Sequence, residues 1–306
     1  MPTAAAATVK PSTPQPGAAA APATNDASAL VQAALKKVTT IATLPEVTAK
    51  IIKTVEDKSS TATQLHQIIS HDPALVTRIL KVVNSAFYGL PGQIGSVERA
   101  IVLLGLNAIK NIAVAASLGQ LFRGVELCQG FAAKDLWTHC IAVGVTAREI
   151  ARQMRIPLGD EAFLAGMIHD IGILVLLQTN PEKLREVCDT VKTKGGDFCT
   201  IERDLMGIGH QELGKGLAEM WKFPRACQLV AGFHHQPQAL SNDRLLTSVV
   251  YVADTVVAQA NHGFNLTALH QKLDDAGLGD VTVDPGLIDR IKQNMPNLIA
   301  SASNFA

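Results

Sequence analysis

Asp72-Pro-Ala-Leu-Val-Thr-Arg-Ile-Leu-Lys-Val-Val-Asn-Ser-Ala-Phe-Tyr-Gly89 decides the fold class. Asp72 places a capping carboxylate before Pro73, whose missing N–H costs nothing at a first helical position. Leu75, Ile79 and Val82 then recur at steps of four and three, and Val76, Leu80 and Val83 widen the stripe. That period belongs to a helix with one buried face. It continues in both directions. Thr61-x-x-Gln64 has capping-box spacing ahead of Leu65, Ile68 and Ile69, and Val47, Ile51 and Val55 form an earlier stripe. Gly89, Pro91, Gly92 and Gly95 mark a loop before a helix starting near Ser96.

Farther on, Trp137 to Met154 is a long candidate helix, and others fall near 160–179, 181–193, 198–206, 210–221, 224–235, 244–260 and 285–301. Alternating strand patterns are nearly absent, and Val281-Thr-Val283 is too short to matter. The expected class is all-α. With 47% hydrophobic residues but only 4% aromatics, Ala, Val, Leu and Ile must fill the core, which suits closely packed helices. Residues 1 to 27 are Ala, Pro, Thr and Gly with almost no large apolar side chain, and read as a disordered tail. The helical pattern breaks at Gly124 and again at Gly130, which suggests a division into 28–128 and 129–306.

Lys+Arg and Asp+Glu both number 27, and no basic block stands out, so nothing predicts a nucleic-acid footprint. The five cysteines are scattered without a Cys-x-x-Cys, as expected of reduced thiols. No secretory signal pattern opens the sequence, and unbroken apolar runs such as Ile173–Leu177 are short for a bilayer. The expectation is a cytoplasmic protein without a membrane segment.

Leu44-Pro45, the stretch from Ser70 to Gly89 and Ser96-Val-Glu-Arg-Ala-Ile-Val-Leu-Leu-Gly105 resemble the HDOD family over roughly residues 40–260. Asn84-Ser-Ala-Phe-Tyr88 and Ala100-Ile-Val-Leu-Leu-Gly105 are its more specific marks. That family is an all-helical output domain of bacterial signalling proteins, related to the HD superfamily of metal phosphohydrolases. The resemblance implies an N-terminal helical subdomain packed on a C-terminal HD-like one. Physically, Asn84-Ser85 can satisfy free helix-end carbonyls or cap the next segment, and Gly105 reads as a helix stop or a close-packing point. His66 and His71 read as a surface and a cap-region residue.

The chemistry lies farther along. Ala165-Gly-Met-Ile-His-Asp-Ile-Gly-Ile173 places His169 and Asp170 side by side in an apolar stretch. His139 precedes them, and His210, His234-His235 and Asp254 follow. Asp170 and Asp254 interrupt apolar helices, where an unpaired carboxylate costs several kcal/mol. The histidines are candidate partners, directly or through a metal, and Gly172 permits a helix break that would help them converge. Gly214 on the face of His210 would let another helix approach closely.

Within the resemblance, His139, His169, Asp170 and Asp254 match the basic HD ligand pattern, and His210, His234 and His235 resemble the extra histidines of the HD-GYP branch. One or two divalent ions (Fe, Mn, Mg or Zn) are implied, with no organic cofactor. Asp170 would bridge them and is the candidate catalytic residue, since the ions would activate a water for attack on a phosphodiester. Two departures stand against that chemistry. Ile173 occupies the position of that branch's lysine, and Gln236-Pro-Gln-Ala239 replaces its Gly-Tyr-Pro stretch. Glu202 and Asp204 read as a charged helix before a glycine stop, with support of His210 as the other reading; Arg148, Arg152 and Lys215 read as solvated helix faces. The expected function is a non-catalytic signalling module acting through proteins or a nucleotide, with a retained metal site. The alternative is a metal-dependent phosphohydrolase.

Overall fold

Asp72 accepts a hydrogen bond from Leu75 N at 2.9 Å, so the helix beginning at Pro73 starts where its capping chemistry places it. The structure is a computed structural model, and it describes residues 24–38, 46–57, 59–122, 124, 126–273, 278, 281 and 284–305. In chain order the helices are α1 (Thr24–Lys37), α2 (Glu46–Glu56), α3 (Ala62–Ser70), α4 (Pro73–Val83), α5 (Val97–Leu104) and α6 (Leu106–Leu118). After them come α7 (Ala133–Gln153), α8 (Gly159–Ile168), α9 (Ile171–Thr179), α10 (Pro181–Lys194) and α11 (Phe198–Met206). The last are α12 (His210–Met220), α13 (Arg225–Phe233), α14 (Leu245–Gln259) and α15 (Pro285–Ser301). Among the described residues the protein is all-α apart from a short antiparallel hairpin, β1 (Glu126–Cys128) and β2 (Phe131–Ala132).

The hairpin has no forerunner in the sequence pattern. It sits where the helical pattern breaks, and three residues are too few to show an alternation. Helix α1 begins at Thr24, inside the segment read as a tail; residues 1–23 lie outside the described residues, as do Leu44-Pro45 and most of Val281-Thr-Val283. One contiguous apolar cluster runs from Leu35 to Phe305 through both sides of the 124–130 break. The stretch Gly159–Thr179 is long and apolar enough to cross a membrane by length and composition, but most of it is buried in this core. It is also interrupted, as α8 ends at Ile168 and α9 starts at Ile171.

Local chemistry explains the ends. Thr61 and Gln64 form the expected capping box. The Asn84 amide donates to Leu80 O and Ile94 O, while its oxygen accepts from Ile94 N at 2.7 Å, so one side chain closes α4 and clamps the following loop. Ser85 donates to Val82 O. Gly105, with φ 86°, has open space where a Cβ would be, so it is a helix stop and not a packing point. Arg148 departs from the solvated-face reading. Its guanidinium lies 4.1 Å from the Phe87 ring centre and 4.6 Å from that of Tyr88, and donates to Phe87 O. It ties α7 to the loop after α4. Arg152 and Lys215 are paired with Glu149 and Glu219 on helix surfaces, as expected.

Gly172 sets the spacing of α9 and α12. A Cβ there would stand 1.8 Å from His210 O and 2.7 Å from Gly214 N. Both helices are rigid backbone at that point, so neither can yield cheaply. Gly172→Ala is expected to destabilise the protein by about 3 kcal/mol or more in urea unfolding. Gly95→Ala, at a position with open space for the methyl group, is expected to stay within about 0.5 kcal/mol of the parent. Equal midpoints for the two variants would refute the tight contact.

Candidate metal centre

All seven side chains singled out in the sequence meet in one buried cluster. His139 is on α7, His169 and Asp170 form the junction of α8 and α9, His210 opens α12, His234 and His235 follow the end of α13, and Asp254 lies within α14. The junction explains how two adjacent residues face one centre. The helix breaks at Asp170, with φ −98° and ψ 17°, and not at Gly172, which lies inside α9. His169 thereby closes one helix while Asp170 opens the next.

Asp170 is the hub. Its Oδ1 lies 3.4 Å from His210 Nε2 and 3.3 Å from His234 Nε2, and its Oδ2 lies 3.4 Å from His169 Nε2. Asp254 Oδ1 is 2.9 Å from His139 Nε2 and 3.7 Å from His169 Nε2. Asp254 Oδ2 is 3.8 Å from His235 Nδ1. His210 Nε2 also stands 3.3 Å from His234 Nε2 and 3.1 Å from His235 Nε2.

The outer nitrogens identify the inner ones. Each of the five rings turns Nδ1 to an oxygen: His139 to His262 O, His169 to Gly166 O, His234 to Val230 O, His210 to Glu202 Oε2 and His235 to Gln271 Oε1. The Gln271 orientation is fixed in turn. Its Nε2 donates to Thr255 Oγ1, whose own proton goes to Tyr251 O. A neutral imidazole that donates through Nδ1 has a lone pair at Nε2. All five Nε2 atoms point inward, so lone pairs face lone pairs and carboxylate oxygens. His169 Nε2, Asp170 Oδ1 and Asp254 Oδ2 are fully buried and lack a hydrogen-bond partner. A cation is what such an arrangement lacks, and outward N–H groups anchored on oxygen are the usual support of metal-bound histidine. The residues therefore fit a divalent ion.

Without an ion, protons must share this work. Burial pulls the His169 ring down, but Asp170 and Asp254 outweigh it and push it up to about 9. Burial likewise opposes His210, which Glu202 and Asp170 push up to about 9. His234 is lowered, chiefly by burial, and His235 falls well below the ordinary range through burial and the neighbouring His234 and His210. Burial would raise both carboxylates; the imidazoles around them hold Asp170 well down and Asp254 down.

The cluster also holds residues that sequence reasoning discounted or missed. Glu202 is buried and holds His210, so the charged-helix reading is corrected for it; Asp204 is exposed, as that reading had it. Thr267 donates to Asp170 Oδ2 at 3.1 Å, and Gln271 holds His235. Both sit in a polar connection after α14 that has no period. No spacing in that segment signals them.

The HDOD domain family matches residues 41–237, most of the chain, and the chain belongs to that family. A solved HDOD domain protein of unknown function from Geobacter sulfurreducens is 20% identical, with a TM-score of 0.77 over 92% of this chain and 99% of that one. A protein from Shewanella amazonensis SB2B, provisionally named a phosphohydrolase, is 24% identical, with a TM-score of 0.72 over 91% of this chain and 98% of its own. These likenesses show the fold. An uncharacterized protein of Treponema pallidum is 26% identical over 220 residues, 70% of this chain. The match spans 41% of that relative's length.

The metal-stripped protein has a definite pH signature. His169 and His210 keep protons up to about pH 9 in the folded state, against an ordinary value of 6.5. Their contribution is complete below 6.5 and lost as pH rises through about 9. His234 and His235 resist protons that the unfolded chain binds below 6.5, so acid also costs stability. Urea midpoints of chelator-treated protein are expected to peak near pH 6.5 and fall on both sides. Reloading with a divalent metal is expected to flatten the alkaline arm, because ligation holds the rings unprotonated. A flat profile for the stripped protein would contradict this electrostatic arrangement.

Proposed function

We propose that the chain is a signalling module that acts by binding a partner, with the histidine–aspartate cluster as a buried metal centre that stabilises the fold. The observation that carries this reading is burial. His139, His169, Asp170, His210, His234 and Asp254 have no exposed surface, and the His235 side chain is 5% exposed. Phosphodiester hydrolysis needs the substrate oxygen and a water at the ion, and groups sealed this way offer neither a path. Ile173 points the same way. It is fully buried, so the position that could have carried a phosphate-binding ammonium is part of the apolar core.

Asp170 belongs to two sets of donors, either of which would hold an ion. His210, His234 and His235 converge with Asp170 on one side, and His139 and His169 converge with it on the other, with Asp254 beside His169. Five imidazole nitrogens favour Fe, Mn or Zn over Mg, which prefers oxygen. Bound metal would supply charge to hold the two carboxylates and close the core. Glu202, Gln271 and Thr267 would orient the donors. A second reading, a metal-dependent phosphohydrolase, draws on the completeness of this donor set.

Metal analysis of protein purified without chelator, with assays on generic phosphodiesters and cyclic dinucleotides, separates the two. The expected result is close to stoichiometric metal and no turnover with Mn, Fe or Mg supplied. Asp170→Ala is expected to lose the metal and at least about 3 kcal/mol of stability. Metal-dependent turnover abolished by Asp170→Ala would replace the first reading with the second. Trace metal, together with unchanged stability in that variant, would remove the metal centre from both.

A further inference from the structure

The cysteines occupy two kinds of environment. Cys140 and Cys199 have carboxylates for neighbours, and burial followed by those carboxylates pushes their thiols well above the ordinary range. Such thiols are inert. Cys128 differs in being lowered, while its neighbour Cys188 is raised, first by the contact with Cys128 and then by burial. Cys128 ends β1, and Cys188 lies on α10, which packs along that strand. Each thiol is the largest influence on the other's ionisation, as expected of two sulfurs that lie side by side where α10 packs along β1. One helical turn after Cys188, the Lys192 ammonium stands 3.8 Å from Cys128 Sγ. Lys192 is held there by Gln129 O and by the face of Phe131, with Nζ 4.7 Å from the ring centre.

This juxtaposition has the parts of a reactive dithiol: a sulfur beside a cation, and a second sulfur in contact with the first. The neighbouring Cys188 thiol, helped by the Lys192 charge and opposed by burial, brings the Cys128 thiol below its ordinary value. Both sulfurs are covered, but the Lys192 side chain over them is exposed, as are Gln129 and Gly130 at the hairpin tip. An oxidant that reaches sulfurs buried this fully must be small and uncharged. None of the groups that perturb this pair belongs to the histidine–aspartate cluster.

We infer that Cys128 and Cys188 form a reversible oxidation site for hydroperoxides, in which Lys192 pairs with the Cys128 thiolate and Cys188 resolves the oxidised sulfur. The Cys128 thiolate attacks one peroxide oxygen; the S–O bond forms, the O–O bond breaks, and hydroxide leaves and takes up the proton that Cys128 released. Cys188 sulfur then attacks the sulfenic sulfur. The S–S bond forms, the S–O bond breaks, and the departing hydroxyl leaves as water with the Cys188 proton. In sum, two thiols and hydrogen peroxide give one disulfide and two waters, and the thiols lose two electrons. The disulfide would bolt the hairpin to α10, at the place where the helical pattern of the chain is interrupted.

The test treats the full, metal-bearing chain with hydrogen peroxide and maps its cysteines by non-reducing peptide mass spectrometry. The wild type is expected to lose two of its five thiols, to yield one peptide pair joined through Cys128 and Cys188, and to recover both thiols with dithiothreitol. Cys188→Ser is expected to leave a sulfenic acid on Cys128 that dimedone traps. Lys192→Met is expected to slow the oxidation about threefold or more at neutral pH. Far-UV circular dichroism confirms the fold of each variant. The wild-type arm needs no variant, so the inference stays falsifiable if one fails to fold. Persistence of both thiols in the folded wild type would overturn it, as would earlier oxidation of Cys140 or Cys199, or an unchanged rate in Lys192→Met. Metal content is measured in the same samples, so failure here is distinct from failure of the proposed metal centre.

Discussion

Two carboxylates without solvent, Asp170 and Asp254, set the conditions for the second half of this protein. A buried carboxylate needs compensating charge and hydrogen bonds or it costs several kcal/mol. Five imidazoles supply neighbours of the right reach, but their orientation matters more than their number. Every Nδ1 is spent on an oxygen outside the centre, so every Nε2 faces in. That arrangement is favourable only if protons or cations enter it. The geometry thus stores a demand for positive charge at one point of the fold.

The scaffold is consistent with that demand. Helices α9 and α12 meet backbone to backbone at Gly172, which brings His210 to Asp170. The break at Asp170 swings two neighbouring side chains to one side, which a continuous helix would not do. The carbonyls of Gly166 and Val230, near the ends of α8 and α13, hold His169 and His234. A carbonyl has two lone pairs, so Val230 O accepts both the backbone N–H and the ring N–H of His234.

The first half follows a simpler logic. Much of its polar chemistry is local and closes turns: Asp72, Thr61, Ser96 and Asn84 each satisfy nearby backbone groups, while Thr48 donates to Ser117 across the core. Arg148 then joins the Phe87-Tyr88 loop to α7, and one apolar core continues across. The two halves therefore share one packed interior.

Much of this was legible in the residues alone. The all-α class, the helix stripes and the caps at Thr61 and Asp72 follow from period and capping chemistry, the need of Asp170 and Asp254 for partners follows from the cost of burying charge, and the full set of seven is what the family resemblance implied. Period, capping and buried charge are local or compositional properties, carried by neighbours within a few residues. Tertiary structure decided everything that depends on distant segments meeting. Glu202, Thr267 and Gln271 became supports of the cluster only because folding brings α11 and the segment after α14 against it. Gly172 proved to be a contact point and Asp170 the hinge, since a break and a close approach look alike in sequence. The burial of most of the cluster is likewise invisible along the chain. Solvent access belongs to the whole packed molecule, whereas a residue's chemistry travels with the residue.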